Sequence, residues 1–114
     1  MTASKSNLVI ATSETVAGFE IVQTLGLVRG STVRAKHIGS DIVASLRNLV
    51  GGEVKEYASL LAGAREQAMD RMLAEAQAMG ADAVVAVRMQ TSAIQQTASE
   101  VLCYGTAVKL APKA

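Results

Sequence analysis

The alternation of apolar and polar positions divides the chain into six segments. Residues 7–12, NLVIAT, are a short apolar run of β type. In residues 19–28, FEIVQTLGLV, Phe19, Ile21, Leu25 and Leu27 fall on one face, and Gln23 breaks the set. Gly26 and Gly30 interrupt this strand, as a bulge or the close approach of another backbone would. The following STVRA is able to continue it.

The period changes near residue 40. Ser40 is placed to cap a helix, and Asp41 falls in its first turn, where a carboxylate suits the positive helix end. Ile42, Val43, Leu46, Leu49 and Val50 follow helical spacing. Gly51 and Gly52 end this helix. A second helix is predicted over residues 53–79, with Glu53 and Glu56 in its first turn. Val54, Tyr57, Leu61, Ala64, Ala68, Met72, Ala76 and Met79 make its apolar stripe, widened by Ala58, Ala62, Met69 and Leu73. At 1.5 Å per residue such a helix is roughly 40 Å long. Gly63 costs about 1 kcal/mol relative to alanine in mid-helix, so a closely packed backbone is expected beside it. Gly80 is the expected cap.

Residues 81–90 then read as a strand, TSAIQQ as a turn, and residues 99–110 as a last strand, with Pro112 in the tail. The order β-β-α-α-β-β predicts one α+β domain over residues 1–114, an antiparallel sheet with two helices on one face.

Composition adds a reason for assembly. Half of the residues are apolar, but only Phe19, Tyr57 and Tyr104 are aromatic. An alanine-rich core buries little area per side chain, and burial stabilises by roughly 25 cal/mol per Å². A lone domain of this make-up is thinly stabilised, which favours a homo-oligomer. The net charge is +1, and the 11 basic residues are scattered. Nucleic-acid binding needs a concentrated positive face and is disfavoured. The sequence shows no apolar signal segment and no run approaching the ~20 residues that span a bilayer, so no membrane contact is expected. One cysteine rules out a disulfide within the chain and points to a reduced, cytoplasmic thiol.

That cysteine lies in ASEVLCYGTAV, residues 98–108. Strand alternation puts Cys103 with Val101, Gly105 and Ala107, and sets Glu100, Leu102, Tyr104, Thr106 and Val108 on the other face. No cationic neighbour in sequence shares its face to activate the thiol. Cys103 therefore reads as a small buried hydrophobe. A zinc site needs four ligands in short spacings, and His37 and Cys103 are 66 positions apart. Met69, Met72 and Met79 lie near one helical face. Thioethers suit Cu(I), but methionines at helical spacing are first of all core filler. His37 and Asp41 stand near a helix start without a nucleophile beside them, so an enzyme is not expected. The densest mixed cluster is RNLVGGEVKEY, residues 47–57. Arg47, Glu53 and Tyr57, with Arg65 or Arg88 from nearby elements, are the candidate ligand-binding set. The plainer reading of the same corner is a contact between subunits.

The stretches RNLVGGEVKEYASLLAGAREQAMDRM, GADAVVAVRMQTS and EVLCYGTAV together resemble the YbjQ-like family of small bacterial proteins, also called "putative heavy-metal-binding". The likeness runs across nearly the whole chain. It implies an α+β fold and assembly into rings, with the pentamer as the expected form. It supplies no metal ligand set that matches residue by residue. The family pattern commonly has alanine where this chain has Cys103. The function expected from these readings is a non-enzymatic ring that binds a small ligand or metal ion between subunits, with no cofactor assigned. The alternative is a scaffold that binds a protein partner and no ligand.

Overall fold

The structure is a computed structural model that describes residues 8–35, 52–95 and 98–114, with the backbone alone for residues 35, 52–61, 94 and 95. In chain order the elements are β1 (Val9–Ile10), β2 (Phe19–Ala35), α1 (Gly52–Ala78), β3 (Ala83–Gln95) and β4 (Ala98–Pro112). The helix expected over residues 40–50 lies outside the described residues.

The four strands form one sheet in the order β1-β3-β4-β2. The sheet is mixed and not antiparallel throughout as expected, because β1 runs parallel to β3, with Val9 opposite Ala83 and Ile10 opposite Val84. The other pairings are antiparallel. β2 lies against β4 from Phe19↔Pro112 to Ala35↔Ala98. β3 lies against β4 from Ala83↔Val108 to Gln95↔Ala98. The expected turn over TSAIQQ is strand through Gln95, and Pro112 ends β4 in place of a free tail. The polarity of residues 90–93 reflects solvent on both faces, since all four are exposed.

The expected single face of β2 is split by two register shifts, one between Ile21 and Gln23 and one between Thr24 and Gly26. Each shift reverses the pleat. Ile21 consequently packs with Ala83, Val85 and Val108 on the sheet face away from the helix. Leu25 packs on the helix face. Leu27 returns to the far face and is 61% exposed.

Helix α1 lays Ala64, Ala68, Met72, Leu73 and Ala76 on the sheet, against Val28, Val84, Val87, Val101, Cys103 and Ala107. The small stripe brings the helix axis close to β2. At Gly30 an added Cβ would overlap the Ala68 carbonyl oxygen and the Met72 amide nitrogen. The close backbone approach expected at Gly63 is absent among the described residues, where nothing lies within 4 Å of a Cβ built there.

The helix ends as Gly80 predicts. Gly80, at φ +77°, donates its N–H to the Gln77 carbonyl, and Ala81 donates to Ala76. These two bonds make a Schellman cap. Side chains of α1 also occupy the outer edge of β2. Glu75 accepts the Arg29 N–H at 3.0 Å, Arg71 donates to the Ser31 carbonyl at 2.6 Å, and Arg34 donates to Gln67 at 2.9 Å. Bonds of this kind blunt an edge that would otherwise pair with another strand.

Candidate functional site

The helix sits over β2 and β4 and leaves the far half of β3 bare. A shallow groove of about 280 Å³ runs along this flank, lined by Ala62, Arg65, Glu66 and Met69 of the helix and by Met89 of β3. Its geometry follows from the pleat. Met89 is opposite Cys103, and Arg88 is opposite Tyr104. Cys103 faces the helix, so Met89 does too, and Arg88 points to the other side of the sheet.

Behind the groove, Cys103 is fully buried and its thiol meets the thioether of Met72, Sγ to Sδ 3.6 Å. Burial pushes this thiol above its ordinary pKa, because a thiolate loses its hydration in an apolar layer. The thiol is protonated and shielded, as the strand alternation predicts. Val101, Gly105 and Ala107 are buried beside it on the same face.

The candidate set from the sequence is distributed as follows. Arg47 and His37 lie outside the described residues. Glu53 and Tyr57 fall in the first two turns of α1, and their side chains lie outside the description. Arg65 is exposed on the groove rim. Arg88 is on the opposite face of the sheet from Arg65, where it donates to the Thr12 carbonyl and to its neighbour Val87, both at 2.9 Å. The structure does not bring these two arginines together within one chain.

Arg88 belongs to a local device instead. Ala86 has φ 54° and sits in a break of the β3 register between Val85 and Arg88. Its N–H donates to Ser13, and that of Val87 donates to Ala11. Gly105 lies beneath this bulge, where a Cβ would come 2.7 Å from Val84 Cγ1 and 3.0 Å from the Val85 carbonyl. The glycine of the YGTAV segment is therefore set by packing.

Two groove residues escaped the sequence reading. Met89 was hidden because its relation to Cys103 depends on hairpin register. Glu66 reads from the sequence only as part of the wet helix face. Of the three helical methionines singled out, Met69 and Met72 lie beside this groove, and Met79 is exposed at the other end of the helix near Gly26.

Among the described residues, no three His, Cys, Asp or Glu side chains are grouped to hold a metal ion. The soft donors that meet are the sulfurs of Cys103 and Met72. Among the described residues no helix is long and apolar enough to cross a membrane.

Residues 8–111 match the family described as "Putative heavy-metal-binding", YbjQ. The chain belongs to the YbjQ family. It is 55% identical over 103 residues to a UPF0145 protein of Methanosarcina acetivorans, covering 90% of this chain and 97% of that one. It is 52% identical over 105 residues to a UPF0145 protein of Thermus thermophilus, covering 92% of each. Among solved structures it is similar to a protein of unknown function of the DUF74 family from Pediococcus pentosaceus. That match has a TM-score of 0.63 at 14% identity and covers 91% of this chain and 98% of the other. This last likeness concerns the fold alone.

Proposed function

We propose that this YbjQ-family protein is a cytoplasmic, non-enzymatic homo-oligomer, a ring of five, that binds a metal ion or small ligand in the groove beside β3, at the junction of two subunits. The observation that carries the reading is the groove itself. It is concave and mostly apolar, with one cation and one carboxylate on its rim, the usual make-up of a small-ligand site.

Assembly follows from what surrounds the groove. Residues 89–93 of β3 are exposed and, among the described residues, bordered by no strand other than β4. The edge of β2 is guarded in its middle by Glu75 and Arg71, but Leu27 and Val33 on its far face are 61% and 56% exposed. The chain has a radius of gyration of 17.7 Å and spans 59 × 28 × 24 Å. A closed domain of about 100 residues has a radius near 13 Å. An elongated chain with two unlike open flanks suits a head-to-tail contact, and such contacts close into rings when the rotation permits. The unpaired thiol fits a reducing compartment.

Native mass spectrometry of the protein purified without chelator tests this reading. A five-subunit ion with stoichiometric added mass supports it. A monomer overturns the assembly, and a bare pentamer that copurifies with another protein favours the scaffold alternative.

A further inference from the structure

We infer that Cys103, Met72 and Met89, with Met69 at the mouth, form a site for one univalent soft cation of the Cu(I) or Ag(I) class in each chain. The inference deepens the reading above by naming donors and ion. It rests on that reading only for the role of the groove as the place of entry.

The argument begins with which donors converge. Two sulfurs, from a thiol and a thioether, already lie 3.6 Å apart. Held about 2.3 Å from a metal, as metal–thiolate bonds are, they subtend roughly 100°. That angle leaves room for a third and a fourth ligand. Met89 is the cross-strand partner of Cys103 on the same face, and side chains in that relation have Cβ atoms about 5 Å apart. Met69 lies one helical turn before Met72 and lines the groove together with Met89. Met69 and Met89 thus line the groove, and Met69 packs against the buried cluster that holds Met72 and Cys103, on three elements that the fold fixes. Thiolate and thioether together select soft ions.

Charge then selects valence. Uptake exchanges the thiol proton for the metal: Cys–SH plus M⁺ gives Cys–S–M plus H⁺, which leaves to solvent, with no change of oxidation state. The product is neutral and suits the apolar layer formed by Val28, Val84, Val101 and Ala107. A divalent ion on the same donors would leave a net charge in that layer, which is costly without a second buried anion. Glu66, on the rim, is exposed and unable to serve as one.

The test is a competition titration of the full-length protein, metal-free and reduced, against a chromophoric Cu(I) chelator, repeated with Ag(I). Native mass spectrometry is run on the same samples, with absorption in the near ultraviolet for the metal–thiolate band. The expected result is one ion per chain, sulfur-only ligation by X-ray absorption, and no thiolate band for Cys103→Ala. Met89→Leu replaces an exposed side chain and leaves the core intact. It is expected to weaken binding at least about tenfold, the smallest loss typical even for groups that do not touch the metal themselves. Unchanged stoichiometry and affinity in both variants would overturn the sulfur site and leave a metal-binding protein with its ligands elsewhere. No uptake of either ion by the wild type, or uptake of divalent ions only, would overturn it too. The subunit count in the same spectra judges the ring independently.

Discussion

Gly30 of β2 passes so close to α1 that a Cβ there would overlap the Ala68 carbonyl. Both partners are backbone, so no side-chain rotation relieves the clash. Gly30→Ala is expected to cost about 3 kcal/mol, at the upper end of overpacking in a filled core. Urea denaturation followed by circular dichroism measures it. A cost below about 1 kcal/mol would mean that helix and strand are less tightly apposed than this geometry requires.

Gly63 is the opposite case on the same helix. It is exposed, and no described residue lies within 4 Å of where a Cβ would be. Gly63→Ala is expected to stabilise by about 1 kcal/mol, the helix-propensity difference, and to raise the melting temperature by several degrees. A loss of stability together with a lower subunit count would place a partner's backbone against this turn.

The buried thiol gives stability a pH dependence with a definite sign. The folded chain holds Cys103 protonated above its ordinary pKa of 9.0. The unfolded chain ionises first as pH rises, so it binds fewer protons and stability falls. The contribution is fully present below pH 9 and is lost above it, by at most about 1.4 kcal/mol per pH unit. Denaturation of metal-free protein between pH 8 and 10.5 should show a steeper decline for wild type than for Cys103→Ala. Lysines and tyrosines are common to both chains and cancel in the difference.

These predictions separate what the sequence makes legible from what it hides. The burial of Cys103, the Gly80 cap and the stripe Ala64, Ala68, Met72 and Ala76 follow from period alone, because each depends on neighbours within a few residues. The two breaks in β2 and the parallel β1 do not. A register shift depends on the partner strand, and the sequence around Ile21 and Leu25 alternates across it almost undisturbed. The groove depends on how far the helix covers the sheet sideways, which no local pattern encodes. The reading of TSAIQQ as a turn failed for the same reason: polar residues on an uncovered strand look like a loop.

Arg88 ties β3 to the segment after β1 through the Thr12 carbonyl. Arg88→Met keeps the aliphatic stem and removes the charged donor. It is expected to cost about 1.5–3 kcal/mol, the range for a hydrogen bond from a charged group, and to speed proteolysis within residues 11–18. If stability is unchanged but assembly or ligand uptake falls, Arg88 acts across the subunit junction and not within its own chain.

The exposed flank of β3 carries the last prediction. Thr91 and Ala93 are exposed, and Thr91 lies opposite Val101 on the helix-facing side, so lysines there disturb no packing within one chain. In a subunit contact they would be desolvated without partners, and a buried unpaired charge costs several kcal/mol per site. Thr91→Lys combined with Ala93→Lys is therefore expected to leave the circular dichroism spectrum intact. The same change should lower the subunit count measured by light scattering. Lysine is also the residue with which natural sheets protect open edges, so the variant should stay soluble as it dissociates. An unaltered assembly would move the subunit contact away from β3, most directly to the exposed Leu27 and Val33 face of β2. The groove that leads to the sulfur site would then lie open to solvent in the assembled protein, and metal uptake would proceed at the same rate whether or not the subunits are joined.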